Sequence, residues 1–241
     1  MSQRGPLPRP AVPIAFAHQG GLSEHPRNSL PAFLLALEAQ CTGFESDVWL
    51  TADGVPVLDH DGIAGGVPIR TLQRSELPDQ VATLGDLYAI CGPSAPLSLD
   101  VRDPEGVPRI IATARAAGGA AVSNLWLCTE LVAEARTWRL EDDDVRIVHS
   151  TELAEMTDGF GAHLLLLRAE GVDVLNLHET DWDEGLVAHA HDAGLLAFGW
   201  DTHTRDGIER LLGYGCDGIY SDNVAVLVDV LGCRTTAGPA T

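Results

Sequence analysis

The stretch GFESDVWLTADGVPVLDHD, residues 43–61, places two carboxylates, an Asp-Gly pair and a histidine close together in the chain. Asp-Gly between two apolar runs is the strongest short signal for a β-hairpin, because both central residues of a type I′ turn need positive φ. With Asp53 and Gly54 as a two-residue loop, the register places Asp47 opposite His60. Directly opposed side chains have Cβ atoms roughly 4.5–5.5 Å apart.

The two carboxylates of this stretch fall on one face of the predicted strand. Glu45 and Asp47 are two positions apart, and strand side chains alternate between faces. Neighbouring carboxylates repel each other unless a cation or a proton lies between them. A divalent metal ion resolves the repulsion, and hard oxygen ligands favour Mg²⁺ or Ca²⁺. The alternative is a solvent-facing hairpin whose outer face is acidic.

Beyond this hairpin, short apolar runs alternate with longer helical patterns along the chain. Apart from the returning hairpin strand at 55–60, eight runs have strand character, and nearly all the gaps between them hold a helical pattern. This alternation predicts an α/β fold, a TIM-type (β/α)8 barrel with a β-hairpin extension after strand 2. An open doubly wound sheet is the alternative, but no G-x-G-x-x-G follows a strand. The eight runs are 13–18, 43–50, 96–101, 125–129, 145–149, 172–177, 195–200 and 217–221.

The domain boundaries follow from composition at the two ends. Residues 1–10 are rich in proline and are expected to form a flexible leader, and residues 234–241 a flexible tail. Residues 11–233 form the predicted barrel domain. The apolar run at 11–17 is too short to span a bilayer, so no stable membrane anchor is expected.

The charge and cysteine content narrow the class of partner. A formal net charge of −20 disfavours nucleic acid and anionic membrane surfaces. A bound metal ion can still reverse the field locally and admit a small anionic substrate. The five cysteines are widely spaced and lack a CxxC pair, which fits reduced thiols in a cytoplasmic protein.

Polar residues stand at or near the carboxyl ends of several predicted strands, where a barrel of this type carries its chemistry. They are His18, Glu45 with Asp47, Asp100 with Arg102, Trp200 with Asp201, and Ser221 with Asp222.

Taken in order, these pieces resemble the glycerophosphodiester phosphodiesterase family. The family pattern of His-Arg-Gly, Pro-Glu-Asn-Thr, Glu-x-Asp-Val, Thr-x-Asp-Gly and Pro-Val-x-x-His-Asp has counterparts here. They are AHQGG, PRNSLPAF, FESDV, TADGVPV and LDHDG. The resemblance covers residues 12–232. It implies a phosphoric diester hydrolase that uses a divalent metal, Mg²⁺ or Ca²⁺, to cleave glycerophosphodiesters into sn-glycerol 3-phosphate and an alcohol.

The resemblance also implies roles for particular residues. Glu45 and Asp47 would be metal ligands, with Asp100 in the place of a third ligand that is usually glutamate. His18 and His60 would be the general acid/base pair, one on each side of the phosphodiester. The nucleophile would be water or the substrate's own neighbouring hydroxyl.

The chain departs from the family pattern where phosphate binds. Gln19 replaces an arginine that would contact phosphate, and Arg27 replaces the glutamate of Pro-Glu-Asn-Thr. We hypothesise that Arg27 supplies the missing charge-assisted contact. Arg102 stands where the family has lysine and would also hold phosphate, and Trp200 would give the pocket an apolar wall. The segment after His60 is short, which predicts a small or absent cap insertion.

Two other functions stay open at this stage. A lysophospholipase D would apply the same chemistry to single-chain phospholipids. A catalytically impaired barrel would bind the ligand without turnover, a possibility that Gln19 and Arg27 raise. The other histidines have less specific expectations. His149 and His178 are expected to edge the pocket, whereas His25, His163, His189, His191 and His203 are expected at the surface.

Overall fold

Eight parallel strands, each followed by a helix, close into a barrel. The computed structural model describes residues 5–236, with side chains up to residue 232. The strands are β1 (Ile14–Ala17), β2 (Gly43–Leu50), β3 (Pro56–Leu58), β4 (Ile63–Ala64), β5 (Val67–Pro68), β6 (Leu97–Val101), β7 (Leu125–Thr129), β8 (Arg146–Thr151), β9 (Val174–His178), β10 (Leu196–Trp200) and β11 (Gly218–Ser221). The helices are α1 (Leu30–Glu38), α2 (Leu84–Cys91), α3 (Val107–Ala117), α4 (Val132–Glu141), α5 (Phe160–Ala169), α6 (Glu184–Asp192), α7 (Arg205–Tyr214) and α8 (Val224–Thr236).

The barrel closes because β1 pairs with both β11 and β2. Phe16 is in register with Tyr220 on one side and with Gly43 on the other. The remaining barrel strands pair in parallel in the order β11, β10, β9, β8, β7, β6 and β2, and β3 joins β2 antiparallel from outside the ring. The prediction of a TIM-type barrel with a hairpin after its second strand is confirmed.

Two apolar layers hold the barrel together. Outward residues of the strands pack under the helices, as Phe44 of β2 does against Phe33 of α1 with ring centroids 6.2 Å apart. Inward residues fill the barrel interior, where Phe16 and Tyr220 stack at 4.7 Å. This interior layer forms an apolar floor below the polar side chains at the carboxyl ends of the strands. Its buried members are Phe16, Trp126, Cys128, Val148, Val174, Leu196, Phe198 and Tyr220.

The hairpin forms where predicted, but its register is shifted by one residue. Val48 pairs with Leu58 and Leu50 with Pro56, so the loop between β2 and β3 is longer than two residues. Gly54 has φ of 77° and donates its N–H to the carbonyl of Thr51, as in a three-residue hairpin loop with its last residue left-handed. The predicted pairing of Asp47 with His60 is therefore wrong.

The register shift changes what lies beside the carboxylates. Asp59 donates its backbone N–H to the carbonyl of Asp47 at 3.2 Å, so Asp59 takes the position expected for His60. A shift of one residue moves every side chain of a strand to the other face. His60 instead follows the end of β3, and its side chain is 60% exposed.

The segment between β3 and α2 is short, as expected of a small cap. It holds only the two-residue strands β4 and β5 and two helical turns at Ile69–Thr71 and Arg74–Glu76. Along residues 5–236, none of the helices has the length and apolar composition needed to cross a bilayer.

The ends of the chain were expected to be flexible. Residues 1–4 and 237–241 lie outside the described residues. Within residues 5–10, Leu7 packs against the barrel-interior cluster, and Arg9 forms an ion pair with Asp217 at 2.7 Å, just before β11. Helix α8 continues to Thr236. The described part of the leader therefore contacts the end of the barrel where the strands begin.

Candidate active site

Three carboxylates from two neighbouring strands converge inside the barrel. Asp47 of β2 is in register with Asp100 of β6, and Glu45 lies two positions before Asp47 on the same face. One ligand oxygen from each of the three lies within 4.8 Å of the others. Glu45 and Asp47 are buried, and Asp100 is half-buried. The structure thus brings together the three residues predicted as metal ligands.

Asp47 is surrounded by hydrogen-bond donors. Arg102 donates to its Oδ1 from Nε at 3.0 Å and from Nη2 at 2.6 Å. Gln19 Nε2 and Asn28 Nδ2 donate to its Oδ2 at 2.8 Å and 3.2 Å. Arg102 also reaches Asp100 at 3.3 Å. These donors compensate the charge of Asp47, which water cannot reach.

The other two carboxylates are less well compensated. Burial raises the pKa of Glu45 well above its usual range, and the charges of Asp100 and Asp47 add to this effect while His18 opposes it. Partial burial and the charge of Asp47 likewise raise the pKa of Asp100, while Arg102 opposes it. Carboxylates buried this close together are stabilised when a proton or a cation binds between them.

A divalent metal ion fits this donor set. All the candidate ligands are carboxylate oxygens on two rigid strands, and hard cations such as Mg²⁺ and Ca²⁺ prefer oxygen ligands. The raised pKa values of Glu45 and Asp100 show that their negative charges are poorly compensated in the protein. A bound cation would compensate those charges in place of protons.

A tight turn after β1 brings Gln19 to the carboxylates. Gln19 has φ of 51°, a left-handed conformation that is uncommon outside glycine. In this conformation its backbone N–H donates to Glu45 Oε2 at 2.9 Å while its side chain donates to Asp47. The next residue must be glycine, because a Cβ on Gly20 would lie 2.7 Å from the Cβ of Ala32. Gln19 therefore positions the acidic cluster.

His18 lies at the edge of the cluster and is held by a carboxylate from the last barrel strand. Its Nδ1 is 2.6 Å from Asp222 Oδ1, and its Nε2 is 3.7 Å from Glu45 Oε2. Burial favours the neutral imidazole, but the charge of Glu45 and the hydrogen bond to Asp222 outweigh it and raise the pKa of His18 to about 9. With Nδ1 held by Asp222, the Nε2 atom faces the carboxylates.

His60 lies in a separate, smaller pocket of about 350 Å³. Its Nδ1 is 2.8 Å from Asp61, and the pocket also contains Gln19 and Arg27. His18 lines a different cavity, so the two predicted acid/base histidines lie in adjacent depressions. Gln19, the residue after His18, lines the pocket of His60.

Arg27 links the smaller pocket to the His18 side. Its Nη1 donates to Gln19 Oε1 at 3.1 Å, and its Nη2 donates to Asp222 Oδ2 at 2.7 Å. The Arg27 side chain is half exposed. The guanidinium thus lies directly beside Gln19, the residue that takes the place of the family arginine.

A cavity of about 760 Å³ opens from the carboxylate cluster towards the ends of β7 to β10. His18, Glu45 and Asp100 form one side of it, and Trp200 lies among its lining residues. Two histidines expected at the surface, His163 and His203, line it as well. His163 lies in the first half of α5 and His203 in the loop between β10 and α7, and their sequence positions alone do not indicate that both reach the cavity.

Two residues of the site were not assigned by sequence reasoning. Asn28 has φ of 58°, donates to Asp47 and accepts from Ser46 Oγ at 2.6 Å. Asp222 was noted only as a polar strand end, but it binds both His18 and Arg27. The available signal was the position of Asn28 in PRNSLPAF, one of the pieces that resemble the family, and the position of Asp222 directly after a predicted strand.

Known proteins share both local sequence and fold with this chain. A family model described as the glycerophosphoryl diester phosphodiesterase family matches residues 18–87. Glycerophosphodiester phosphodiesterase 1 of Rattus norvegicus is 49% identical over 47 residues, which span 20% of this chain and only 14% of that protein's length. A glycerophosphodiester phosphodiesterase of Caldanaerobacter subterraneus subsp. tengcongensis is 23% identical over 242 residues, covering 90% of this chain and 97% of the relative.

Solved structures extend the likeness to the whole fold. A putative glycerophosphoryl diester phosphodiesterase from Silicibacter pomeroyi has a TM-score of 0.78 at 20% identity, covering 96% of each chain. An Oleispira antarctica phosphodiesterase in complex with the product sn-glycerol-3-phosphate has a TM-score of 0.78 at 19% identity, covering 92% of this chain and 97% of that one. At such identities these structures show a shared barrel.

Proposed function

We propose that the chain, whose residues 18–87 match the model of the glycerophosphoryl diester phosphodiesterase family, belongs to that family and is a phosphoric diester hydrolase. It cleaves glycerophosphodiesters to sn-glycerol 3-phosphate and an alcohol. The observation that carries the proposal is the convergence of Glu45, Asp47 and Asp100 beside His18 at the carboxyl ends of the strands. A family resemblance alone would not require these side chains to meet.

The carboxylates would hold a divalent metal ion, Mg²⁺ or Ca²⁺. When bound, this ion would neutralise charge on the phosphoryl oxygens and help to orient the nucleophile. Arg102 and Gln19 keep Asp47 in a fixed orientation through their hydrogen bonds, and the Gln19 backbone does the same for Glu45. Such fixed orientation is what a preorganised site requires.

His18 acts as the general acid. Its imidazolium, oriented by Asp222, gives the Nε2 proton to the leaving alkoxide oxygen as the bond between phosphorus and that oxygen breaks. The attacking hydroxyl, from water or from the neighbouring glycerol carbon, forms the new bond to phosphorus. His60 takes the proton of that hydroxyl, so one proton is accepted for each one donated.

Arg27 binds the phosphate. Its guanidinium lies beside Gln19 and between the pocket of His60 and the carboxylate that holds His18. A phosphoryl group at this boundary would face both histidines. A guanidinium provides charge-assisted hydrogen bonds to phosphate that the Gln19 amide lacks.

The test is release of glycerol 3-phosphate from glycerophosphocholine with Mg²⁺, Ca²⁺, Mn²⁺ or EDTA. We expect release that needs a divalent ion and is lost in His18→Ala and His60→Ala, and that persists in His189→Ala, an exposed histidine on α6. Calorimetric binding of glycerophosphocholine without turnover under any metal would instead support a ligand-binding barrel. Turnover confined to lysophosphatidylcholine would indicate a lysophospholipase D.

A further inference from the structure

The half of the cavity opposite the carboxylate cluster is built by different strands. Glu130 follows β7, and Glu152 and Glu155 follow β8. Asn176 projects from β9 and Trp200 from β10, and all five line the same cavity as His18 and Glu45. We call this half, defined by these five residues, the distal subsite. A molecule held at the carboxylate cluster can extend into it without leaving the cavity.

Negative charge in the distal subsite is only partly balanced within the described residues, where the charge of Arg102 acts on Glu130. Glu130, Glu152 and Glu155 are exposed, and none of them pairs with an arginine within residues 5–232. No arginine lines the cavity among the described residues either.

The other ionisable groups around the distal subsite do not change this balance. Asp201 is already engaged by His178 and His203. Burial and the neighbouring His163 lower the pKa of His149 to about 4, so His149 adds no positive charge near neutral pH. Burial also lowers the pKa of His163.

A buried polar atom in the same place points to a ligand. Asn176 is only 5% exposed, and its Nδ2 donates to Ser150 Oγ at 3.0 Å. Its Oδ1 has no hydrogen-bond partner among the described residues. A buried acceptor left unpaired costs free energy, so the Asn176 carbonyl favours a ligand that donates a hydrogen bond.

Trp200 provides the remaining wall. Its ring packs edge-on against His178, with centroids 4.7 Å apart, and it remains half-buried at the cavity. The face of a tryptophan ring attracts a cation within about 6 Å of its centroid. The distal subsite therefore offers carboxylates, an unpaired carbonyl and an aromatic face, and each of these favours a cation.

We infer that the distal subsite binds the alcohol part of the substrate when that alcohol carries an ammonium group. The inference rests on the proposed function, because it assigns the other end of the same substrate. A neutral polyol needs donors as well as acceptors, and an anionic alcohol would be repelled by the three glutamates. Selectivity for a cationic head group follows from the charge of this half of the cavity.

The experiment compares glycerophosphoethanolamine with glycerophosphoglycerol, whose head group is neutral. We expect the intact protein to have a higher kcat/KM for the ethanolamine compound. The double variant Glu152→Gln/Glu155→Gln should lower the ratio of the two kcat/KM values by about tenfold. The matched control is Glu38→Gln/Glu141→Gln, which removes the same charge from exposed residues at the ends of α1 and α4. This control should change the ratio of the two kcat/KM values by less than about twofold, because exposed charges outside the cavity are screened by salt and act on both substrates alike.

Equal kcat/KM values for the two compounds in the intact protein would overturn the inference, and so would equal effects of the two double variants. Hydrolysis of neither compound would refute the proposed function instead. In that case the dissociation constants of both compounds, measured by calorimetry on the same variants, decide the inference. Tighter binding of the ethanolamine compound that Glu152→Gln/Glu155→Gln removes would support it, and equal binding would overturn it.

Discussion

Arg102 donates two hydrogen bonds to a single oxygen of Asp47, from Nε at 3.0 Å and from Nη2 at 2.6 Å. The Asp47 side chain is only 1% exposed, so its charge is stabilised by protein donors and not by water. Breaking a buried ion pair by removing one partner leaves an uncompensated charge. Arg102 therefore supplies to the carboxylate cluster part of the positive charge that a metal ion would also bring.

Arg102→Met should destabilise the protein chiefly when no metal is present. We expect the free energy of unfolding in EDTA to fall by about 3 kcal/mol, because Asp47 loses its counter-ion. Saturating Mg²⁺ or Ca²⁺ should recover part of that loss, since an ion that binds only the folded state stabilises it. Urea denaturation with and without the ion measures both effects.

Arg70→Met is the control for this prediction. Arg70 pairs with Asp103 at 2.7 Å, but its own side chain is 55% exposed, so the loss should be below about 1 kcal/mol and independent of the ion. An Arg102→Met loss that the ion does not reduce would argue against a shared role at the cluster.

Asp222→Asn should slow catalysis more than it weakens binding. The substitution keeps the shape of the side chain but removes the charge that holds His18 Nδ1 at 2.6 Å. We expect kcat for glycerophosphocholine to fall by about tenfold to a hundredfold with a smaller change in KM, because general acid/base groups contribute on that scale.

The control for Asp222→Asn is Asp206→Asn, which changes an exposed aspartate in the first turn of α7. Steady-state kinetics of both variants distinguish a local effect on His18 from a general loss of negative charge. An equal kcat for Asp222→Asn and the intact protein would contradict the role of Asp222.

Arg27→Ala should raise KM far more than Gln19→Ala does. Arg27 is half exposed and lies at the pocket of His60, so phosphate can reach its guanidinium beside the contacts to Gln19 and Asp222. A charge-assisted hydrogen bond contributes about 1.5–3 kcal/mol, which corresponds to an increase in KM of roughly tenfold or more. Gln19 is 3% exposed and binds Asp47, so its loss disturbs the cluster and not the phosphate contact.

The control for Arg27→Ala is Arg115→Ala. Arg115 lies in the last turn of α3, and the substitution breaks its ion pair with Asp142. The KM of Arg115→Ala should match that of the intact protein. Small and equal changes in KM for Arg27→Ala and Gln19→Ala would refute the idea that Arg27 replaces the family arginine.

The protein should lose stability on mild acidification because of His149. Its pKa is about 4 in the folded state, against 6.5 for the free side chain, so folding favours the neutral ring. The contribution is fully present above pH 6.5 and is lost as the pH falls from 6.5 towards 4. It amounts to about 3 kcal/mol, since each pKa unit corresponds to about 1.4 kcal/mol.

His149→Gln tests this pH dependence. Urea denaturation at several pH values between 4 and 7 should show a shallower loss of stability in the variant. His189→Gln, at an exposed position on α6, should retain the slope of the intact protein. Parallel curves for His149→Gln and the intact protein would exclude His149 as the source.

The barrel itself follows from local sequence patterns. Each of the eight apolar runs is long enough for one strand, and helical periodicity fills the gaps, so the order of elements leaves a closed parallel sheet as the consistent solution. The shared face of Glu45 and Asp47 is equally local, because alternation along a strand does not depend on its neighbours. Both predictions are confirmed.

The hairpin register was less secure because it depends on a single backbone angle. Gly54 alone, and not the Asp53-Gly54 pair, takes a positive φ, which lengthens the loop by one residue. The Asp53 carboxylate instead accepts hydrogen bonds from Thr51 Oγ1 and from the backbone N–H of Arg74. A contact with a residue so far along the chain cannot be read from the turn sequence.

The sequence by itself therefore determined the architecture and which side chains face the barrel interior, since these depend on hydrophobic periods of a few residues. Only the tertiary structure decided which of those side chains meet. Asp222 reaches His18 because β11 closes on β1, Arg102 reaches Asp47 because β6 pairs with β2, and the distal subsite exists because four later strands end beside the same cavity. Such contacts depend on closure of the whole barrel, and local propensity carries no information about that closure.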